Sequence, residues 1–319
     1  MYHGRRVTVV IPAHNEEALI ERVLAGLPAF VDRAIVVDDA STDRTSEVVR
    51  NWAARAQDSR IDLLRHDKNQ GVGGAVKSGF LRALQMGTDI AVIMDGDDQM
   101  DPLQMHRLLD PIVQGKADYT KGNRLYARGS FKGMSTWRLA GNSMLTLLTK
   151  VSSGNWHITD PQNGYVAITA EALERIDVAR IFPWYGYLNS MLARAGAYGV
   201  RVMDVPIPAR YGNEKSKIRY LRYIRRVSWL LLSLFLWRLM VKYVARDFHP
   251  LVFFYLASAP LLLLGLGGAI YTVYDHFAAG GLFFLPMALS ILVFGLGAQF
   301  LFFAMYFDMS EAKRVNAQP

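Results

Sequence analysis

The chain contains no cysteine among its 319 residues. This absence excludes disulfide bonds, thiolate metal ligands and a cysteine nucleophile. The glycine spacing G-x-G-x-x-G of dinucleotide-binding turns is also missing after the first predicted strand, which argues against a dinucleotide-dependent oxidoreductase. Disorder is excluded for a different reason, because 51% of the residues are hydrophobic.

Acidic residues are scarce in the rear part of the chain only. Residues 215–319 carry 11 basic and 4 acidic side chains, whereas residues 1–214 carry 25 and 24. A nucleic-acid-binding protein would carry its basic excess on the folded domain, and here that domain is nearly neutral. Basic charge that lies beside long apolar runs is typical of contact with a membrane surface.

Two long runs in the rear part contain no charged residue, Leu251 to Tyr274 and Gly281 to Phe307. Each exceeds the roughly 20 residues that a helix needs to cross a hydrocarbon core of about 30 Å. The sequence therefore predicts two transmembrane helices, over about 251–274 and 281–307. Two buried helices of a soluble protein are the alternative, but adjacent charge-free runs of this length are rare in soluble folds.

The distribution of basic residues predicts the orientation of these helices. The connection from Asp275 to Gly280 has no Lys or Arg, whereas Arg246 precedes the first run and Lys313 and Arg314 follow the second. Basic flanks remain in the cytoplasm. The amino terminus has no signal-peptide pattern. We therefore expect an integral membrane protein with two transmembrane helices, whose front domain and both termini are cytosolic.

The segment from Lys215 to Arg246 holds nine basic residues. Its apolar stretch, Val227 to Trp237, has eleven residues and is too short to span a membrane. One interpretation is one or two helices lying in the membrane interface with their basic residues on phosphate headgroups. The other is an amphipathic helix packed on the soluble domain. The predicted division is a front domain at 1–214, basic juxtamembrane helices at 215–248, and an anchor with a short cytosolic tail at 249–319.

The front part alternates short β-branched runs with helical patterns. Apolar residues at helical spacing predict a first helix from Glu16 to Leu27, and a Gly-rich turn opens another over Gly71 to Met86. This alternation predicts an α/β domain with a mostly parallel sheet. Ligands of such sheets bind beyond the carboxyl ends of the strands. The predicted strands are Val7 to Ile11, Ala34 to Val37, Ile61 to Leu64 and Ile90 to Met94.

An acidic cluster, D-G-D-D-Q, directly follows the fourth predicted strand. Asp95 and Asp97 alternate along an extended chain and therefore lie on the same side. Adjacent carboxylates repel one another unless a cation compensates them. Hard oxygen ligands suit Mg²⁺ or Mn²⁺, and Gln99 adds an amide oxygen. The alternative is a solvated acidic turn ahead of a helix that starts near Pro102.

The Gly-rich stretch G-V-G-G at 71–74 is a weak signal by itself. It does not match a P-loop, because Val76 stands where the pattern requires a glycine before Lys-Ser. We expect it to let the backbone pass close to a ligand or to a neighbouring strand. Lys77 follows one turn later, where it faces either phosphate or solvent.

Seven motifs in order give a resemblance to a known family: P-A-H-N-E-E, V-V-D-D-A-S-T-D-R-T, N-Q-G-V-G-G-A-V-K-S-G-F, M-D-G-D-D-Q, K-G-N-R, D-P-Q-N-G-Y and G-N-E-K-S-K. Together they resemble the family 2 inverting glycosyltransferases of the GT-A fold, in particular the dolichol-phosphate mannose synthases and bacterial polyprenyl-phosphate glycosyltransferases. The resemblance covers about residues 5–218. His14 departs from it where relatives have Tyr, and Asn123 where Ser is common.

The resemblance implies a nucleotide-sugar donor, a UDP- or GDP-sugar, and a divalent metal, Mg²⁺ or Mn²⁺. Asp39, with Asp38, is expected to accept a hydrogen bond from an imino N–H of the base. Pro12, His14 and Glu16 are expected to line the base and ribose. The metal that bridges the donor diphosphate would be held by Asp95, Asp97 and Gln99, and Lys77 would lie near the phosphates.

The resemblance also implies polyprenyl or dolichyl phosphate as the acceptor, at the cytosolic face of the membrane. A phosphate monoester is largely dianionic at neutral pH, so it is already a nucleophile and needs cations rather than a general base. We expect catalysis to depend on Asp97, Arg124 and Arg138. The expected ligands of the acceptor phosphate are Arg124, Arg138, Arg210, Lys215, Ser216 and Lys217.

Other functions have less support in the sequence. A processive polysaccharide synthase would show a Q-x-x-R-W motif and more than two spans. Transfer to a protein or glycan acceptor leaves the basic membrane-proximal segment unexplained. A membrane scaffold or a transporter subunit has no need of the acidic metal cluster. Two-helix anchors often pack against copies of themselves, so we expect a homo-oligomer. We expect no nucleic-acid partner, because the front domain is nearly neutral.

Overall fold

The structure is a computed structural model of the full chain. It describes residues 1–125, 136–208, 220–246 and 248–317, without the side chains at 136–140, 142, 220–224 and 316–317. The chain divides into two compact units, of which the first comprises Met1–Leu236 with Val315–Pro319 and the second Trp237–Arg314. The predicted three-part division of the chain stays a prediction.

Seven strands of the described residues form one sheet in the first unit, in the order β3-β2-β1-β4-β6-β5-β7. Strands β1 to β4 pair in parallel, and only β6 runs antiparallel to its neighbours. This confirms the predicted mostly parallel α/β sheet. The strands are β1 (Val7–Ala13), β2 (Arg33–Asp38), β3 (Ile61–Arg65), β4 (Ile90–Ile93), β5 (Tyr119–Asn123), β6 (Val166–Thr169) and β7 (Val202–Pro206).

Helices cover both faces of this sheet. Their bounds are α1 (Ile20–Ala25), α2 (Thr45–Ala56), α3 (Val72–Gln85), α4 (Met105–Val113), α5 (Thr136–Ser153), α6 (Ala170–Arg175) and α7 (Tyr187–Tyr198). Alternate strand residues face opposite layers, because successive side chains of a strand point to opposite sides. Val10 and Ile35 lie in the core with α3, α6 and α7. Val9 and Ala34 lie in the core with α1, α2 and α4. Burial on both faces explains why the strands read as continuous apolar runs.

The first helix is shorter than the sequence predicts. The pattern indicates a helix from Glu16, but α1 begins at Ile20. The backbone N–H of Asn15 donates to Ser41 Oγ at 3.0 Å, and that of Glu16 donates to Thr45 Oγ1 at 2.9 Å. These bonds hold the segment against the loop that follows β2, so the helix begins one turn later. The apolar periodicity contains no information about this long-range pairing.

Three helices near the carboxyl end are long and apolar enough to cross a membrane, by length and composition, among the described residues. They are α8 (Tyr220–Arg238), which continues as a π-helix over Leu239–Arg246, α9 (Leu251–Ala279) and α10 (Phe284–Ala317). The predicted count of two is therefore wrong for candidate spans, since Arg225–Arg246 also qualifies. The sequence interpretation stopped at Trp237 because a charged residue follows it.

That charged residue is buried in the second unit. Arg238 is 0% exposed, and its guanidinium donates to both carboxylate oxygens of Asp308 on α10, at 2.8 and 2.9 Å. The Tyr243 hydroxyl donates to the same carboxylate at 2.5 Å. Residues 238 and 243 are five apart, a spacing that the wider turn of a π-helix brings onto one face. The pair thus lets an arginine lie directly after the apolar stretch Val227 to Trp237 without ending the helix.

Candidate active site

The loops that follow β1, β2 and β4 meet at one edge of the sheet. Strand β1 pairs with β2 on one side and with β4 on the other, so the strand order reverses there. This crevice is where open α/β sheets bind ligands. Asn15, Ala40 and Asp98 follow these three strands with φ of 61°, 57° and 59°. Left-handed backbone at non-glycine residues is costly and concentrates at functional sites.

Asp38, at the end of β2, is completely buried. Its Oδ1 accepts from the Ser41 N–H at 2.8 Å, and its Oδ2 accepts from the Ser46 hydroxyl. Burial alone would raise its pKa, but these hydrogen bonds and the nearby Arg65 hold the pKa of Asp38 below its usual value. Its carboxylate thus organises the loop after β2 from the inside. Its predicted role in donor binding stays a prediction.

Asp39 lies beside it and joins three segments of the chain. Its Oδ1 lies 2.7 Å from His66 Nδ1 and accepts from the Gln70 N–H at 2.8 Å. Its Oδ2 accepts from the Gly71 N–H at 2.8 Å. The main-chain oxygen of Asp39 lies 2.8 Å from Nδ1 of His14. The structure therefore brings together two predicted donor-binding residues, Asp39 and His14, with the Gly-rich turn.

Sequence reasoning missed His66. It directly follows β3, at the same edge of the sheet, and it is 7% exposed. Its Nε2 lies 2.9 Å from the Ser78 hydroxyl on α3. The same rule that singled out residues after the other three strands would have found it, had it been applied to β3.

The Gly-rich turn packs against a neighbouring loop. The Gly74 N–H donates to the Pro183 carbonyl at 2.8 Å, and a Cβ on Gly73 would collide with the Phe182 carbonyl. The turn therefore makes a close backbone approach, but to a loop and not to the strand that the sequence interpretation named. Lys77 is half-buried on α3 within the first two turns. Its proposed contact with phosphate stays a prediction.

Asp95 follows β4 beside the end of β1. The Gly96 N–H donates to the carbonyl of Pro12, a buried residue of β1, at 3.2 Å. Burial, together with the negative charges of Asp97 and Glu16, raises the pKa of Asp95 to about 7. Its Oδ1 is buried without a hydrogen-bond partner among the described residues. The carboxylates of Asp95 and Asp97, from the loop after β4, thus lie near that of Glu16, from the loop after β1.

An unpartnered buried carboxylate oxygen among like charges fits a cation. Within the described residues, no group of three or more His, Asp or Glu could hold a metal by itself. Two carboxylates that share an Mg²⁺ or Mn²⁺ ion with substrate phosphate oxygens need no third. Gln99 is exposed in the same loop, and its N–H donates to Asp97 Oδ1 at 3.1 Å. The donor set of Asp95, Asp97 and Gln99 is therefore chemically suited to the predicted metal.

A second polar cluster lies at the carboxyl ends of β5 and β7. Arg124 donates from Nε and Nη2 to the two carboxylate oxygens of Asp160, at 2.8 and 3.1 Å. Burial alone would raise the pKa of Asp160, but Arg124 and Lys121 lower it below its usual value. Burial lowers the pKa of Lys121, which is 0% exposed, to about 8. Arg124 itself has 41% of its side chain exposed, so it faces solvent from a fixed position.

The side chains of five other predicted residues lie outside the described part of the structure. The side chain of Arg138 is not described, although its backbone belongs to α5. The structure says nothing of the remaining four, which are Arg210, Lys215, Ser216 and Lys217. Their assignment to the acceptor phosphate therefore stays a prediction.

The comparisons with known proteins agree on one family. Residues 8–177 match the family described as Glycosyl transferase family 2. The chain is 29% identical over 216 residues to the UDP-N-acetylglucosamine–dolichyl-phosphate N-acetylglucosaminyltransferase of Methanococcus voltae, covering 64% of this chain and 86% of the relative. It is 33% identical over 207 residues to the undecaprenyl-phosphate mannosyltransferase of Micrococcus luteus, covering 63% of this chain and 82% of the relative.

A solved structure shows the same fold. The glucosyl-3-phosphoglycerate synthase of Mycobacterium tuberculosis, in complex with Mn²⁺, UDP-glucose and glycerol 3-phosphate, superposes with a TM-score of 0.53 at 22% identity. The match covers 74% of this chain and 80% of that protein. At this identity the likeness establishes the GT-A fold and leaves the substrates of this chain open.

Proposed function

The chain belongs to glycosyl transferase family 2, and from this premise we propose that it transfers a single sugar, with inversion, from a UDP- or GDP-sugar to polyprenyl or dolichyl phosphate. Two relatives carry names that specify a dolichyl-phosphate or undecaprenyl-phosphate acceptor. Three long apolar helices follow the α/β unit. A lipid acceptor is consistent with both features.

The observation that carries the proposal is the unpartnered Oδ1 of Asp95 beside Asp97 and Glu16. Such a carboxylate group is costly in the free protein, and a divalent cation compensates its charge. When bound, the metal would act as a Lewis acid that neutralises charge on the leaving nucleoside diphosphate. Asp95, Asp97 and Gln99 would hold it at the end of β4.

The residues around this place would bind the rest of the donor. Pro12, His14 and Glu16 extend from the end of β1, and Asp39 lies next to them at the end of β2. In our proposal these residues line the base and ribose, with Asp38 holding the loop. Lys77 approaches the phosphates from α3.

In this proposal the acceptor phosphate itself supplies the nucleophilic oxygen. One of its oxygens attacks the anomeric carbon while the bond from that carbon to the diphosphate oxygen breaks, and the nucleoside diphosphate leaves with the electron pair. A phosphate monoester is largely dianionic at neutral pH, so no general base is required. Cations must instead bring two anions together. Arg124, exposed and oriented by Asp160, is the described residue best suited to this task. The other proposed cations are Arg138, Arg210, Lys215 and Lys217, with the Ser216 hydroxyl as an additional donor.

The proposed location is the cytosolic face of a membrane. Basic residues flank the apolar helices, and the short connection between α9 and α10 has no Lys or Arg. The positive-inside rule then places the α/β unit and both termini in the cytosol. Both termini on one face require an even number of crossings, so we propose that α9 and α10 span the bilayer and that the helix over Arg225–Arg246 does not.

The direct test is a transfer assay. Purified full-length protein with Mn²⁺ is incubated with individual UDP- and GDP-sugars and a short polyprenyl phosphate, and lipid products are identified by mass spectrometry. We expect one glycosylated lipid phosphate from one donor. Loss of donor without a lipid product would indicate that the acceptor is not a lipid phosphate. Glycerol 3-phosphate is included as the comparison acceptor. A folded protein that consumes no donor in the presence of metal would contradict the proposal.

A further inference from the structure

The side chain of Tyr187, the first residue of α7, reaches a candidate metal ligand. It is 6% exposed. A Cβ on Gly164, which lies in the loop before β6, would be 3.3 Å from the Tyr187 hydroxyl oxygen and 3.3 Å from Oδ2 of Asp95. The same Cβ would be 3.1 Å from the terminal methyl carbon of Met100, whose sulfur accepts from the Asp95 N–H at 3.3 Å. The phenol hydroxyl and this carboxylate therefore lie close together, beside the α-carbon of Gly164.

Two glycines from different motifs allow the tyrosine to take this position. A Cβ on Gly73, in the Gly-rich turn, would lie 2.6 Å from the Cβ of Tyr187. A Cβ on Gly164, in D-P-Q-N-G-Y, would crowd the hydroxyl at the other end of the side chain. A close-packed interior does not take up extra atoms without displacing its neighbours. The absence of a side chain at both glycines therefore determines where the hydroxyl lies.

The hydroxyl of Tyr187 can serve as a hydrogen-bond donor. Among the described residues, no group accepts a hydrogen bond from it. Burial and the nearby charge of Asp95 raise the pKa of Tyr187 well above its usual value, so the hydroxyl remains protonated at neutral pH. A protonated phenol donates, and a carboxylate only accepts. The carboxylate beside the ring is therefore suited to accept this hydrogen.

The two oxygens of Asp95 have different surroundings. Oδ1 is buried without a hydrogen-bond partner in the part of the chain that the structure describes, whereas Oδ2 lies at Gly164 near the hydroxyl of Tyr187. A neutral donor at Oδ2 orients the carboxylate and leaves its charge to attract a cation. The ion pair of Asp160 shows the contrasting case, because Arg124 donates to both of its carboxylate oxygens and neutralises their charge.

We infer that Tyr187 is a positioning residue of the metal site, whose hydroxyl donates to Oδ2 of Asp95 and leaves Oδ1 to bind the divalent cation. This inference rests on the proposed function, because it requires a cation at Asp95. Hydrogen bonds at active sites are often long in the free protein and shorten when the ligand binds. Outer partners of this kind fix the orientation of metal-binding carboxylates, and their loss lowers metal affinity about 10- to 100-fold.

The first test measures Mn²⁺ affinity directly. Mn²⁺ is titrated into the full-length protein in detergent micelles, and the free ion is followed by electron paramagnetic resonance. Y187F removes the hydroxyl and keeps the ring, so we expect the Kd for Mn²⁺ to rise about 10- to 100-fold. Y119F is the matched control, because Tyr119 lies in the same core and its hydroxyl is also buried without a partner among the described residues. We expect it to bind Mn²⁺ like the unaltered chain.

The second test adds a methyl group between the two side chains. The φ angle of Gly164 is not positive, so G164A introduces a Cβ without backbone strain. This Cβ would press on the Tyr187 hydroxyl and on Oδ2 of Asp95, so we expect Mn²⁺ affinity to fall about tenfold. Y187F combined with G164A should lose less binding free energy than the sum of the single losses, because both changes act on one contact. G141A is the control, since nothing lies within 4 Å of a Cβ there.

The third measurement separates positioning from stability. In the transfer assay, we expect Y187F to need about 10- to 100-fold more Mn²⁺ for half of its maximal rate. Its rate at saturating Mn²⁺ should approach that of the unaltered chain. The unfolding free energy should not fall, because the change removes a hydroxyl that has no partner in the free protein. A merely structural role of Tyr187 would lower stability and leave the Mn²⁺ requirement unchanged.

The outcomes separate the two claims. Equal Mn²⁺ affinities of Y187F and the unaltered chain would overturn the inference and leave the proposed metal site intact. If Y187F fails to fold, the G164A titration decides the same question, and an unchanged Mn²⁺ affinity would again overturn the inference. Absence of Mn²⁺ binding by the folded, unaltered chain would instead overturn the proposed metal site at Asp95, and with it this inference.

Discussion

Asp95 in the α/β unit and Asp308 in the helical unit both carry buried carboxylate oxygens, yet their surroundings are opposite. Asp308 accepts two hydrogen bonds from Arg238 and one from Tyr243. Asp95 has other carboxylates as neighbours and an Oδ1 without a partner among the described residues. In the first arrangement the fold itself compensates the buried charge. The second costs free energy until a cation binds, which is why the two regions should respond differently to the same loss of charge.

The largest expected effect is on the helical unit. D308A leaves the Arg238 guanidinium buried without its partner, which costs about 3–5 kcal/mol of unfolding free energy. We expect this loss in denaturant titrations of the protein in detergent, followed by circular dichroism. Replacing both members with apolar residues, as R238M with D308L, should recover most of it. E311Q is the control, because Glu311 lies one turn from Asp308 and pairs loosely, at 4.0 Å, with the exposed Arg314. A loss below about 1 kcal/mol for D308A would contradict the structural role.

The same change of charge in the α/β unit should affect activity and not stability. D97N removes one proposed metal ligand and relieves repulsion on Asp95, so we expect transfer to fall about 10³-fold. Unfolding free energy should stay equal or rise. D101N is the matched control, because Asp101 caps the following turn through the Leu103 N–H and asparagine caps equally well. Turnover near that of the unaltered chain would remove Asp97 from the metal site.

Arg124 forms an ion pair whose carboxylate, Asp160, is buried and whose guanidinium is partly exposed. R124A should raise the acceptor KM about 10- to 100-fold while donor affinity stays constant, because the guanidinium is proposed to bind the acceptor phosphate. R124K keeps the charge but loses the bidentate geometry with Asp160. Its acceptor KM should therefore lie between those of the unaltered chain and R124A. Steady-state kinetics with varied polyprenyl phosphate measure this. An unchanged acceptor KM and rate would reject the assignment.

The smallest effect concerns pH. Because burial and nearby charges raise the pKa of Asp95 to about 7, a proton must leave before a metal binds. Mn²⁺ affinity should fall about tenfold per pH unit below pH 7 and level off above pH 8. The folded pKa lies above the unfolded one, so this group contributes stability below about pH 4 that is lost as the pH rises through 7. Metal titrations at pH 6, 7 and 8 test this, and a Mn²⁺ affinity that stays constant between pH 6 and 8 would contradict it.

Local patterns predicted those elements whose neighbours are close in the chain. The β-branched runs at Val7 to Ile11 and Ile90 to Met94 correspond to β1 and β4, because strands buried on both faces need continuous apolar residues. The start of α1 was not predictable in this way. It depends on hydrogen bonds to Ser41 and Thr45, about 26–29 residues further along.

The candidate site shows the same division. Asp39 and Asp95 could be singled out because each follows a predicted strand. The hydrogen bond between Asp39 and His66 depends on the order of strands in the sheet. So does the proximity of Asp95 to the like charge of Glu16. The third candidate span was missed for a related reason. A charge such as Arg238 ends an apolar run in the sequence, and only its pairing with Asp308 explains why the helix continues.

The sequence by itself determined the fold class, the acidic and polar loops at the strand ends, and the separation of a neutral front part from a basic, apolar rear part. These follow from periodicity and composition, which each short segment carries on its own. The tertiary structure alone decided which carboxylates are paired and which are not. Burial and pairing depend on groups that are distant in the chain, and it is this difference between Asp308 and Asp95 that distinguishes a structural contact from a site open to a ligand.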